Sequence, residues 1–177
     1  MLVETLCMIV LNLGLPNPQV ACTYMDEVVE ASRGAKIEPE VLIALIYYES
    51  RWTPTAVSKA GACGLTQVIP RFMRKPRLTC RQLKNPATAI SAGAYILSRW
   101  KKRYRGNMER ALCGYNAGFS CGPKYKRSHQ GWRYARKVLR LARNIAAQKD
   151  ETEQADYTYR VEPALDVMER IENPDDR

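Results

Sequence analysis

Pro39-Glu40-Val41-Leu42-Ile43-Ala44-Leu45-Ile46-Tyr47-Tyr48-Glu49-Ser50 is the stretch from which the rest of the chain can be read. Proline suits the first turn of a helix, where its missing N–H is not needed, and Glu38 and Glu40 lie near the positive end of the helix dipole. Six consecutive apolar residues follow, and Thr53-Pro54 stops the run. Glu49 comes four residues after Leu45 and seven after Leu42, so it continues their face of the helix toward the interior. A carboxyl group placed there loses hydration, which disfavours its charged form and raises its pKa. That is what a general acid at neutral pH requires. A lone glutamate at a helix end would by default pair with a nearby cation, here Arg51.

Outward from this helix the periodicity predicts an all-α chain, with no alternating strand pattern anywhere. Tyr24–Arg33 reads as a short amphipathic helix ended by Gly34, and residues 54–86 as loops and short turns punctuated by glycine and proline. From Ala87 a helix carries Ile90, Ala94, Leu97 and Lys101 on one face and ends in the basic run Arg99–Arg105. Met108–Asn116 is closed by Gly118. Trp132–Gln148 is long, with Ala135, Val138, Leu139, Ala142, Ile145 and Ala146 on an apolar stripe. The division expected is an apolar segment over 1–23, a central domain over 24–149 and an acidic tail over 150–177. Glu162-Pro163 could start one more helix in that tail, as a docking element.

The 177 residues carry a net charge of +10, unevenly spread. Residues 1–49 are net −5, residues 50–149 net +22 with Glu109 their only acid, and residues 150–177 net −7. A basic body of this kind needs a polyanionic neighbour: nucleic acid, an anionic envelope, an acidic protein or its own tail. His129 is the sole histidine, which argues against a histidine-built metal site or a Ser-His-Asp triad, and no metal or cofactor is expected. Cysteines at 7, 22, 63, 80, 113 and 121 lack the two-residue spacing of zinc or thioredoxin-like motifs. Their even number permits three disulfides or buried free thiols. The apolar run Leu6–Leu15 has the length of a signal-peptide core, short of the ~20 residues of a membrane span. Glu4 and the lack of a preceding cation fit an N-terminal helix that stays with the protein.

Glu49 does not stand alone. Glu49-Ser50 is followed by Gly61-Ala62-Cys63-Gly64-Leu65-Thr66-Gln67, then by Ala111-Leu112-Cys113-Gly114-Tyr115-Asn116-Ala117-Gly118, then by Tyr134 within Arg133-Tyr134-Ala135-Arg136-Lys137-Val138-Leu139. In this order the set resembles the soluble-type (SLT, family 1) lytic transglycosylases, which are related to goose-type lysozyme. The resemblance spans about residues 24–147. Methionine is common in the family where Thr66 stands, and Cys63 and Cys113 occupy positions usually held by other small or apolar residues.

The resemblance implies a lysozyme-like helical domain with a loop-rich cleft that binds peptidoglycan glycan strands. Glu49 would be catalytic acid and then base. Ser50 would help position the reacting sugar, and Gly64, Leu65 and Gln67 would line the cleft. Tyr115 and Asn116 would form the opposite wall, and Tyr134 would orient Glu49. The residue types suit these tasks, since glycine lets backbone approach a ligand and amides offer both donor and acceptor. For each residue alone a structural use is the default, Gln67 as a loop-capping amide and Tyr134 as core.

A standard glycoside hydrolase needs two carboxylates. With Glu109 the only acid between Arg51 and Lys149, the sequence favours a single-carboxylate mechanism ending in a 1,6-anhydromuramoyl product. Two other classes compete: a goose-type hydrolase drawing a second acid from Asp26, Glu27 or Glu30, and a non-catalytic basic protein that binds nucleic acid or serves a virion or envelope machine. The setting expected is a phage virion enzyme that opens the wall during genome entry, or a bacterial periplasmic or envelope enzyme. Either setting leaves room for a protein partner at the acidic tail or the N-terminal segment.

Overall fold

The computed structural model describes residues 2–73, 77–121 and 130–172, with side chains as far as Ala155. Among these residues the chain is all-α: α1 (Leu2–Asn12), α2 (Pro18–Thr23), α3 (Met25–Ala35), α4 (Pro39–Ser50), α5 (Cys80–Leu83), α6 (Pro86–Arg103), α7 (Met108–Ala117) and α8 (Gln130–Glu172). Short 3-10 turns cover Pro70–Phe72 and Gly118–Cys121.

Helix α4 lies at the centre. Residues 40 through 46 are all buried, and a helix apolar on every side must be wrapped on every side. It packs on α3 and α8, α8 also packs on α7 and α1, and α6 bridges α3 and α7. The apolar stripe of α8 closes one core with α4, burying Ala135, Val138, Ala142 and Ile145. The helix starts are locally encoded. Thr79 and Gln82 form a reciprocal capping box on α5, Asn85 accepts from the Thr88 N–H at 3.0 Å, and Asn107 from the Arg110 N–H at 2.9 Å.

Two boundaries differ from the sequence reading, and a third is met by another means. Gly34 sits inside α3, which runs on to a left-handed Lys36 with φ 54°. The Ile37 N–H bonds back to the Ser32 carbonyl at 2.9 Å while Ile37 is buried in the core, so burial of the residue beyond the cap sets the stop. Helix α4 ends at Ser50 as expected, but the stop is a left-handed Arg51 that precedes Thr53-Pro54. And α8 passes Lys149 and Pro163 as one 43-residue helix, with no second helix starting at Glu162. The side chains of Leu165, Met168 and Ile171 lie outside the described residues.

The cysteines are all oxidised: Cys7–Cys22, Cys63–Cys80 and Cys113–Cys121. The first joins α1 to α2, and Leu6, Ile9 and Val10 of α1 are buried in the same core as α4. No helix among the described residues is long and apolar enough to cross a membrane.

Candidate active site

The loop expected to line the cleft is built without a strand. Val57 and Val68 each form an isolated antiparallel bridge with Cys63, which folds residues 57–68 into a tight doubled turn. Cys63–Cys80 ties this turn to α5. Gly64 has φ 75°, and a Cβ there would lie 1.8 Å from the Leu83 carbonyl oxygen. Its close approach is therefore to the backbone of α5 and not to a ligand, a different reason for glycine from the one sequence reasoning supplies. Leu65 is buried beneath it. Buried Thr66 donates its hydroxyl to the Ala89 carbonyl at 2.6 Å and packs where a side chain on Gly93 would stand.

Gln67 has φ 50°, and its Nε2 donates to the Gly64 and Ala56 carbonyls at 3.0 and 3.2 Å. Its amide N–H groups thus cap the loop from within. Tyr115, on α7, donates its hydroxyl to the Thr66 carbonyl at 2.7 Å and so clamps this loop to the facing helix. Asn116, the next residue, is exposed. Cys113–Cys121 fastens α7 to the 3-10 turn that follows it.

Glu49 stands in the last turn of α4, partly buried. Its partner is the Tyr134 hydroxyl of α8, which donates to Glu49 Oε1 at 2.6 Å. Arg51 is exposed. Burial pushes the Glu49 carboxyl up to about 7, and the Tyr134 hydrogen bond, which favours the charged form, opposes that shift. Tyr134 and Tyr115 are both raised well above the usual phenol range, first by burial and then by the charge of Glu49. Ser50 spends its hydroxyl on the Ile46 carbonyl at 3.3 Å, within the helix.

Two features that hold this arrangement escape a sequence reading. Gly131, one turn before Tyr134, allows α8 to settle on α7: a Cβ there would lie 2.9 Å from the Cys113 sulfur and from Ala117 Cβ. At the other end of the α4–α8 contact, Lys149 donates to buried Glu40. The only legible hint of the second feature was an acid in the first turn of an otherwise apolar helix.

Glu49, Tyr134, Tyr115 and the 63–68 loop are thus brought together by α4, α8, α7 and one stapled turn. An all-α, lysozyme-like domain of this kind is also found in a solved structure of an inactive mutant of the lytic transglycosylase Slt from Pseudomonas aeruginosa. The two align with a TM-score of 0.62 at 24% identity, over 71% of this chain and 24% of that one. The Transglycosylase SLT domain family model matches residues 26–137, and the chain belongs to that family.

Among curated relatives, the endo-type membrane-bound lytic murein transglycosylase A of Klebsiella pneumoniae is 34% identical over 95 residues, 46% of this chain and 47% of that protein. The soluble lytic murein transglycosylase of Salmonella typhimurium is 30% identical over 103 residues, 54% of this chain and 16% of that protein. The membrane-bound lytic murein transglycosylase F of Alcanivorax borkumensis is 30% identical over 102 residues, 54% of this chain and 21% of that protein. The chain thus spans about half or less of the length of these relatives.

Proposed function

We propose that this protein is a peptidoglycan lytic transglycosylase in which Glu49 acts first as acid and then as base. The observation that carries the reading is Glu49 itself, a carboxyl held near neutrality by burial and oriented by a single phenol. At neutral pH a large fraction of it is protonated, and it donates that proton to the glycosidic oxygen between MurNAc and GlcNAc as the C1–O bond breaks. The substrate's own N-acetyl group stabilises the electron-poor C1. Glu49, now a carboxylate, takes the proton of the C6 hydroxyl while that oxygen closes onto C1. The products are a 1,6-anhydromuramoyl end and a free hydroxyl on the leaving sugar; no water is consumed, and Glu49 is again protonated.

One carboxylate suffices for this cycle, and the causes of the Glu49 shift include no acidic neighbour among the described residues. In this reading Tyr134 orients the acid. Ser50 and Gln67 position the reacting sugar, and Gln67 has its carbonyl oxygen to offer there, since its N–H groups hold the loop. Tyr115 and exposed Asn116 supply the other wall. Acid–base transfer contributes roughly 10²–10⁴ in rate, and cleft binding with ring distortion the remainder.

Three disulfides fit an oxidising compartment outside the cytosol, and the basic body fits a wall that bears peptide carboxylates and anionic polymers. The setting we propose is local opening of the wall, either by a phage virion during genome entry or by a bacterial envelope machine, with the acidic end of α8 available to a protein partner. Mass spectrometry of the fragments released from purified peptidoglycan tests the chemistry. Anhydro-ended muropeptides are expected. Reducing ends would mean hydrolysis, and the absence of any product would point to a binding protein.

A further inference from the structure

The turn that follows Glu49 is held from outside by the N-terminal hairpin. Arg51 and Trp52 are consecutive left-handed residues, φ 51° and 58°, although neither is glycine or asparagine, and Trp52 is completely buried. Such backbone persists only where its surroundings over-determine it. The Arg51 N–H bonds to the Tyr47 carbonyl at 2.9 Å, and the Thr53 N–H to the Ser50 carbonyl at 3.1 Å. The Arg51 carbonyl, turned away from the helix, accepts from Asn17 Nδ2 at 2.8 Å, with a longer 3.4 Å contact from the same nitrogen to the Thr53 hydroxyl.

Asn17 is itself left-handed, φ 53°, at the head of α2. It is kept there by Leu15, buried in the core, and by the Cys7–Cys22 bond that locks α2 to α1. Its contact reaches 34 residues along the chain, to the second residue after Glu49.

We propose that the α1–α2 hairpin is a brace for the catalytic turn and that Asn17 is a positioning residue: it fixes the end of α4 so that the Glu49 carboxyl meets Tyr134 and stays out of water. An apolar N-terminal segment with the length of a signal core is on this account a working part of the enzyme. The inference rests on the catalytic reading of Glu49. The energetic reason is that misplacement of a reacting group by about 1 Å can cost on the order of 10² in rate. Among the described residues the groups facing Glu49 are Tyr134 from α8 and Tyr115 from α7, neither of which ionises in the working range.

The test uses the full chain and two variants. Asn17→Gly keeps a left-handed backbone without strain and removes the side chain that carries the amide. Cys7→Ser/Cys22→Ser keeps the amide and frees the hairpin. Both are expected to remain folded by circular dichroism, with kcat on purified peptidoglycan reduced 5- to 20-fold and KM within twofold. The Glu49 carboxyl, followed by ¹³C NMR titration, should move downward from its wild-type midpoint by half a unit or more as water reaches it.

Folded variants with kcat and titration unchanged would overturn the brace, and so would losses wholly accounted for by a reduced folded fraction. If the wild-type protein releases no muropeptides, the function fails instead, while the titration still reads the brace.

Discussion

Glu49 binds its proton more tightly in this fold than in the unfolded chain, and two consequences can be measured on that residue alone. Its folded pKa of about 7 lies above the ordinary carboxyl value of 4.5. Between those values the native state holds more protons than the unfolded state, so stability falls as pH rises through this window. Below pH 4.5 the group contributes nothing; above pH 7 it costs at most about 3.5 kcal/mol, from about 1.4 kcal/mol per unit. Glu49→Gln should therefore unfold at the same urea concentration as wild type near pH 4 and at a higher one at pH 8. An identical midpoint at both pH values would contradict the burial of the charge. Tyr134→Phe removes the bond that lowers the Glu49 pKa. In a pH–rate profile the alkaline fall in kcat/KM, set by loss of the proton from Glu49, should move to higher pH, with kcat down roughly tenfold to a hundredfold for a lost hydrogen bond to a charged group. A limb that stays in place or moves down would show that Tyr134 does not act on Glu49. Glu49 was legible as a candidate because an acid continuing an apolar helix face demands an explanation, whereas Tyr134 was singled out only through the family resemblance. Gln67 and Gly64 were less so: the same residue types serve a sugar or a loop equally well, and only the positions of Ala56 and Leu83 decide what they touch here.

Helices α4 and α8 run antiparallel and are joined by a side-chain rung at each end, Glu49–Tyr134 at one and Glu40–Lys149 at the other. The second rung is only 4% exposed at Glu40, and Lys149, the more accessible partner, has its pKa raised first by that hydrogen bond. Lys149→Met would leave a buried carboxylate without its partner, a loss on the order of 3 kcal/mol. The double variant Glu40→Met/Lys149→Met, which removes both charges, should recover most of it. Denaturant midpoints of the three proteins decide this; a double variant no better than the single would mean the loss comes from packing. The start of α4 was readable from Pro39 and its flanking acids, which are local signals. Its end near Ser50 was readable too, though not its cause, and the end of α3 was not, because left-handed Arg51 and Lys36 are stabilised by tertiary burial of Trp52 and Ile37 and carry no glycine to announce them. The unbroken course of α8 was missed for a related reason: a change from apolar stripe to acidic composition marks where burial stops, and a helix can continue past that point.

At the scale of the molecule, each disulfide fastens one part of the candidate site or its support: Cys7–Cys22 the hairpin whose Asn17 meets the turn after Glu49, Cys63–Cys80 the Gln67 loop, and Cys113–Cys121 the end of the helix bearing Tyr115. Six cysteines in the sequence left free thiols and disulfides equally open, because pairing is a property of distances between elements and not of spacing along the chain. The all-α class and the four ordered motifs, by contrast, were visible at once, and they agree with the family match over residues 26–137. What makes these parts one enzyme is the claim that a single buried acid does the chemistry. The direct measurement is digestion of purified peptidoglycan by wild type and Glu49→Gln side by side, with soluble fragments identified by mass spectrometry and folding of the variant checked by circular dichroism. The account predicts anhydro-ended muropeptides from wild type and a loss of at least two orders of magnitude in the folded variant, the scale of ~10²–10⁴ expected for general acid–base transfer. A folded Glu49→Gln protein that releases the same products at an undiminished rate would contradict it.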